Sequence, residues 1–530
     1  MITLFRRYAP ELQFLALLLV AVGLSTSVVL MSMGSIGLFI VLAAYGNIGQ
    51  RLSSAFRHPV VIGFFMLFLV HLIGLLWTQD FAFAFKDLRI KLPFLVFPLV
   101  FAAVPRLEEK RFQLLLWLLL LATSISTLIS FGIYLRIFPS DKDLSDIRNI
   151  SPFVSHIRLS LVIITALFAM IYLFRVTKHG VKWILLPLAC WFLYFIYLIE
   201  SATGVLVLIS AVVFTLIYII IRTKNKWIRF SGIGLFTLVI LFFTVLTRNI
   251  IHEFYTPKES RNHLEVYSKS GEKYFHGLEN NMLENGYYTW NYIAINELRN
   301  TWNSRSTIPF DSTGKTGQII SQTLLRYMTS KGLRKDREGL LSLSDSDIQH
   351  VENGIANINY LKDKGLKRRL EQLIYEINSY YYFRNAAGSS LTQRLEFWIA
   401  GWSIFKANLW FGVGTGDPQL AFNAEYERRK STLPEKNRLR SHNQFLSIGV
   451  AFGLFGLLVF IITLVIPFSI GWRENNLLFL VFYVGALVSF LNEDTLETQA
   501  GVTYFSFFLS LFLLAKPRQE STSSVEESKL

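Results

Sequence analysis

Long apolar runs broken by short polar turns dominate both ends of this chain. Twelve runs, at about 12–31, 33–47, 60–77, 88–104, 111–135, 157–174, 183–199, 204–221, 230–247, 442–469, 477–491 and 501–515, approach the ~20 residues that carry a helix across a bilayer. Lipid offers no partner for free backbone groups, so such runs predict helices and not open sheet. The pattern reads as an all-α, polytopic integral membrane protein with about 12 transmembrane helices. The opening "MITLFRRYAPELQFLALLLVAVGLSTSVVLM" has basic residues before its apolar run but no small-residue cleavage site, and it reads as a retained first helix.

Between the ninth and tenth runs the period changes. A structureless segment as long as 248–441 is improbable, and its sequence predicts a mainly helical subdomain. "GQIISQTLLRYMTSKG" places Ile319, Ile320, Leu324, Leu325 and Met328 at helical spacing with Gly332 as a stop. "GLKRRLEQLIYEINSYYYF" predicts a second helix. "NGYYTWNYIAINEL" is a packing element or a sugar-stacking surface. In "LTQRLEFWIAGWSIFKANLWFGVGTGDPQ", Leu395, Trp398, Trp402 and Phe405 form a stripe, widened by Phe397, Ile399 and Ile404, with Thr392 as a possible cap. That helix, 394–407, is too short to span and is expected in the membrane plane. The glycines after it make a plain turn or an amide cradle for an anion. The division is therefore 1–247 with transmembrane helices 1–9, a large loop over 248–441, transmembrane helices 10–12 over 442–515, and a tail over 516–530 whose "ESTSSVEESKL" reads as disordered.

Composition adds orientation. The chain is 52% hydrophobic, with mean hydropathy +0.41 and formal charge +15. The basic residues gather in alternate turns, including Arg51, Arg57, Arg106, Lys110, Arg111, Arg175, Lys182, Arg222 and Arg473, whereas the turns "ESATG" and "NEDTLETQAG" hold none. This is the positive-inside bias: both termini are expected in the cytoplasm and the large loop outside. The loop's 27 Lys/Arg against 21 Asp/Glu do not oppose this, because long loops cross regardless of charge. The positive charge thus reports topology, and no nucleic-acid partner is expected. The sole cysteine, Cys190, permits no disulfide framework. "STGKTG" has Pro309 where a phosphate-binding loop needs its first glycine, and no HExxH, paired CxxC or GxSxG occurs.

What remains is a set of cations at the outer face. Arg158, beside His156, opens the sixth run; Lys91 lies one turn inside the fourth; Arg394, Arg440 and His442, followed by Asn443, come from the large loop. Interfacial cations usually have an anionic partner. Lys91 and Arg158 either snorkel to headgroups or bind a ligand. His442 is either a neighbour of the helix cap or chemistry, and a helix N-terminus disfavours its cationic form. The acidic residues Glu493, Asp494 and Glu497 are solvated loop charge, a base or a cation site. Cations converging on one outer cavity fit a lipid-linked diphosphate.

"LTQRLEFWIAGWSIFKANLWFGVGTGD" followed by "SHNQFLSIGVAFGLFG", after many spans and a large loop, resembles the O-antigen ligase/O-antigen polymerase family, most strongly over 391–460. "NGYYTWNYIAINEL", "LLRYMTSKGLRKD" and "LNEDTLETQAG" resemble its Bacteroidetes-type versions. The resemblance implies a GT-C-like fold in a bacterial inner membrane. It also implies a periplasmic transfer of glycan from an undecaprenyl-diphosphate carrier to lipid A-core or another acceptor, without metal, nucleotide sugar or other cofactor. It gives Arg394 the diphosphate and His442 the acceptor hydroxyl. The family's arginine in an S-R-G or S-R-T-G turn is absent: Ser201-Ala202-Thr203-Gly204 has Ala202 there, leaving Arg158 or Lys91 to supply the charge. A guanidinium suits a diphosphate leaving group, and histidine suits an acceptor proton. A polysaccharide polymerase or a protein O-oligosaccharyltransferase would show nearly the same residues. A transporter would more often show duplicated halves and polar residues at mid-membrane.

Overall fold

The computed structural model describes residues 6–517 except 143, 145, 146, 179, 363–365, 384, 385 and 387–389, so the Ser-rich tail lies outside the described residues. The chain divides into two compact units. Met1–Arg229, Phe397–Ser431 and Glu435–Leu530 form the first; Phe230–Glu396 with Thr432–Pro434 forms the second.

Among the described residues, the regular elements of the first unit are all helices. Its elements are α1 (Ala9–Thr26), α2 (Val28–Ala44), α3 (Ile48–Ala55), α4 (Pro59–Ile73), α5 (Phe81–Lys91), α6 (Pro93–Ala103), α7 (Glu109–Tyr134), α8 (His156–Val176), α9 (Leu185–Leu198) and α10 (Ala202–Arg222). α11 (Lys226–Tyr255) leads into the second unit, which holds α12 (Ile295–Arg305), α13 (Ile320–Ser330), α14 (Arg337–Leu341), α15 (Asp345–Glu352) and α16 (Leu366–Phe383). α17 (Ser390–Ala407) runs back into the first unit, followed by α18 (Pro418–Arg428), α19 (Gln444–Arg473), α20 (Leu477–Asn492) and α21 (Gln499–Ser510).

Every apolar run is helical, though not always as one helix, and the protein is an all-α polytopic membrane protein. The count needs correcting. Among the described residues, eight helices are long and apolar enough to cross a membrane, or nine if α2 and α3, which meet at a 117° bend, make one span. α6, α20 and α21 are shorter. The run at 88–104 is two helices, because Pro93 lacks an N–H and starts a new helix after Lys91. The run at 442–469 is interrupted at Gly453, whose φ of 63° is not helical.

α21 is the centre of the first unit. Every residue from Gly501 to Ala515 is buried, as befits a helix that is apolar all round. The Tyr504 hydroxyl lies 2.8 Å from Thr165 Oγ1 on α8, satisfying its polar end inside the core. The turn leading into α21 is correspondingly fixed: a Cβ at Gly501 would lie 1.8 Å from the Thr495 carbonyl oxygen.

In α17 the predicted stripe is buried in part. The buried face is Phe397, Ala400, Gly401, Ile404 and Phe405, while Trp402 is 54% exposed. The small residues decide this. A Cβ at Gly401 would lie 2.9 Å from Leu446 Cδ2, so α17 approaches α19 closely there. The turn "GVGTG" uses its amides internally. Gly412, Val413, Gly414, Thr415 and Gly416 donate to Asn408, Val450, Ala451 and Gly74 carbonyls and to Thr78 Oγ1 respectively. The plain-turn reading therefore holds, and no amide cradle is available.

The second unit has its own core, built from Leu298, Trp302, Phe310, Ile320, Leu324, Tyr327, Met328 and Val351. α13 and α16 are the two helices expected from periodicity. Gly332 ends α13 with φ of 69°, but Ile319 is exposed instead of buried. The tyrosine-rich stretch begins as a hairpin, β1 (Leu283–Glu284) against β2 (Tyr287–Tyr288), turned by Asn285-Gly286 with both φ positive.

Candidate active site

The polar turn between α20 and α21, residues 493–498, gathers most of the sequence-predicted cations. α19 delivers the first group. Asn443 caps it by accepting the Leu446 N–H at 3.0 Å, and donates its amide to the Leu491 carbonyl at 2.9 Å. Gln444, fully buried, accepts the Leu496 N–H and donates to Glu497 Oε1, both at 2.8 Å. These bonds pin the start of α19 to the acidic turn.

His442 sits at that junction with a φ of 45°, a left-handed conformation that a non-glycine residue adopts only when its surroundings enforce it. Its Nδ1 is 3.4 Å from Glu493 Oε2 and 3.4 Å from Asp494 Oδ1, ion-pair distances without hydrogen-bond geometry. Phe397 packs beside the ring at 5.6 Å between centroids. Burial alone would lower the imidazole pKa; Asp494 and Glu493 outweigh it and raise it to about 9. Burial likewise opposes ionisation of Asp494, yet His442, Arg440 and Arg158 hold its pKa at about 2.

Arg440 reaches Glu497 at 3.3 Å and Asp494 at 3.9 Å. Lys91, 1% exposed, is 3.2 Å from Glu497 and 3.5 Å from Asp87, and donates to the Leu496 carbonyl. Its ammonium is thus held inside the protein by two carboxylates and a carbonyl. Arg158, on the first turn of α8 two residues after His156, donates to Ser155 Oγ at 3.3 Å and to Thr498 Oγ1 at 3.0 Å. Its hydrogen bonds go to hydroxyls, while its charge also helps to keep Asp494 ionised.

The substituted arginine position is next door. α10 begins at Ala202, with Ser201 as its cap. Thr203 Oγ1 accepts the Asn492 amide at 2.8 Å, one residue before Glu493. A Cβ at Gly204 would lie 2.8 Å from Ser160 Cβ, so the first turns of α8 and α10 touch. Arg158 and Ala202 therefore occupy adjacent helix starts. Arg394 is half-buried on α17 and belongs to the second unit, whereas His442 belongs to the first.

His442, Glu493 and Asp494 offer ligand atoms within 4.8 Å of one another and form the set, among the described residues, that could hold a metal ion. The charges around them favour a proton instead. Asp87, Glu493, Asp494 and Glu497 face Lys91, Arg158 and Arg440, and a protonated His442 completes the balance. Glu497, Asp87 and Gln444 were the residues sequence reasoning underrated. Asp87 had a signal, its i, i+4 spacing to Lys91; Gln444 had none.

Residues 341–461 match the family model described as O-antigen ligase. The match supports the family resemblance read from the sequence and a membrane enzyme of the O-antigen ligase or polymerase type. It contains Arg394, Arg440, His442 and Asn443, and ends before the acidic turn. No curated protein matches the chain.

Proposed function

We propose that this protein transfers a glycan from an undecaprenyl-diphosphate carrier to an acceptor hydroxyl, such as one on lipid A-core, at the periplasmic face of a bacterial inner membrane. The observation that carries the reading is the meeting of His442 with Glu493 and Asp494 at one end of the helical unit, beside Arg440 and Arg158. The Lys/Arg asymmetry supports cytoplasmic termini and a periplasmic 248–441. A phosphatase fused after Gly339 should then be active, and one fused after Lys516 silent.

In the transfer, the acceptor oxygen bonds the anomeric carbon as the glycosidic carbon–oxygen bond to phosphate breaks. The electron pair leaves on the diphosphate, and the acceptor proton must be taken up. Arg394 and Arg158 are assigned to the diphosphate, where guanidinium donors meet growing oxygen charge. His442 is assigned to the acceptor proton. Since its carboxylate neighbours raise its pKa to about 9, the neutral base is the minor form at neutral pH. Lys91, spent on Glu497 and Asp87, has no donor role in this proposal.

The direct test combines the purified protein in proteoliposomes with undecaprenyl-diphosphate-linked oligosaccharide and lipid A-core. Transfer that requires His442 supports the reading, and its absence with every hydroxyl acceptor offered overturns it. A deletion strain separates the related activities: unligated lipid A-core indicates a ligase, single-repeat surface glycan a polymerase, and unglycosylated protein an oligosaccharyltransferase.

A further inference from the structure

Glu497 is a buried carboxylate with three side-chain partners. Lys91 and Arg440 lie at 3.2 and 3.3 Å, Gln444 donates to it at 2.8 Å, and its neighbour Leu496 accepts from Lys91 through its carbonyl and donates its N–H to Gln444. These partners come from α5, from the segment before α19 and from α19 itself. Asp87 on α5 stands beyond Lys91, and His71 on α4 shares with Asp87, Arg440 and Glu497 the wall of a cavity of about 20 Å³, room for a single water. Within the turn, Asp494 is the nearest like charge, itself held by Arg440.

We infer that Glu497 is the positioning residue of the site: its buried carboxylate ties α5 and α19 to the 493–498 turn, and so sets Glu493 and Asp494 against His442. Lys91 and Arg440 then serve this carboxylate. Removing its charge leaves two cations facing one another across the turn, with only Asp87 and Asp494 as counter-charges. The turn must shift to separate them, and Glu493 and Asp494 move with it. The contact at risk is long already, at 3.4 Å, so a small shift ends it. This inference rests on the proposed role of His442, but its test does not.

The test reads His442 without turnover. The purified protein in detergent is treated with diethyl pyrocarbonate, which reacts with neutral imidazole, and modification at His442 is followed by peptide mass spectrometry across pH. In the wild type the midpoint should lie near 9. In Glu497→Gln it should fall toward the ~6.5 of ordinary imidazole. Glutamine keeps the shape and one hydrogen-bond acceptor, so an effect of packing alone would leave the midpoint in place. If Glu497→Gln fails to fold, the double variant Lys91→Met/Glu497→Gln removes the buried unpaired ammonium as well and should fold with the same lowered midpoint. An unchanged midpoint in either folded variant overturns the inference. Where transfer is also measured, Glu497→Gln should lower turnover by about 10²-fold, the scale of a small misplacement, and leave saturation by undecaprenyl diphosphate alone unchanged. A lowered midpoint in a protein that transfers no glycan would uphold the positioning role and sink the proposed function.

Discussion

His442 Nδ1 lies 3.4 Å from Asp494 Oδ1, and Asp494 is itself held ionised by Arg440 and Arg158. The imidazole therefore faces a permanent negative charge. Its pKa is raised, from an ordinary 6.5 to about 9, so the folded protein binds this proton more tightly than the unfolded chain does. Stability from that proton is fully present below about 6.5 and is lost as pH rises through about 9. Turnover should run the other way if neutral His442 is the base, climbing with pH and levelling near 9. His442→Gln should abolish most transfer, on the order of 10²–10⁴-fold, and flatten the stability profile over the same window. A wild-type rate that is flat between pH 6.5 and 8.5, a window spanning the ~6.5 of ordinary imidazole, would show that His442 takes no proton in the rate-limiting step.

Arg158 makes its observed bonds to Ser155 and Thr498 hydroxyls, on a helix start that touches that of Ala202. Arg158→Ala should weaken donor binding by about 1.5–3 kcal/mol, the range for hydrogen bonds to charged groups. Undecaprenyl diphosphate titration measures this directly. Ala202→Arg placed on top of Arg158→Ala should recover part of the loss, since the new guanidinium enters from the adjacent helix. Donor affinity equal to wild type in Arg158→Ala would remove the compensation argument.

Arg394→Lys separates grip from charge. Lysine keeps the positive charge but lacks the planar fork that meets two phosphate oxygens. Loss of turnover on the order of 10²-fold with normal insertion is expected. Near-normal transfer would mean that Arg394 only needs to be cationic, as a residue reaching for headgroups would.

The apolar runs were legible because lipid imposes a single rule on backbone groups, and a helix long enough to satisfy it writes that length into the sequence. The breaks were harder. Pro93 ends a helix by its missing N–H and could be read; Gly453 looks like any small residue in a span. The site was half visible. His442, Arg158 and Arg440 stood out as charges beside apolar runs, and the structure gathers them. Lys91 stood out equally, but whether a buried cation meets a ligand or an internal carboxylate depends on Glu497, which is 406 positions away in the chain (497 − 91). The stripe on α17 was partly legible: Phe397, Ile404 and Phe405 are buried as marked, while Ala400 and Gly401 brought a neighbouring helix onto the face beside them and left Trp402 exposed.

Gly453 gives the sharpest test of how the fold frames the site. The helix α19 breaks there, and the N–H groups of Leu454 and Phe455 donate to the carbonyls of Leu409 and Trp410 at 2.7 and 3.2 Å. In return Val413 and Gly414 donate to Val450 and Ala451. The two segments cross so closely that a Cβ at Gly453 would lie 2.4 Å from the Trp410 carbonyl carbon, and one at Gly412 2.4 Å from that of Ala451. Neither neighbour is a side chain that can swing away. Both glycines also have positive φ, at 63° and 67°. Gly453→Ala should therefore cost about 1–3 kcal/mol in backbone strain alone, with the steric overlap added. Gly234→Ala is the control, because a Cβ there meets nothing within 4 Å. Thermal unfolding in detergent should show a clear fall for Gly453→Ala and Gly412→Ala, and none for Gly234→Ala. The break starts nine residues after Gln444 on the same helix, so its repacking should also disturb the Gln444 bonds to Leu496 and Glu497 and lower transfer in the protein that still folds. A Gly453→Ala protein as stable as wild type would mean that the crossing is loose, and that the rigid frame assigned to His442 lies elsewhere.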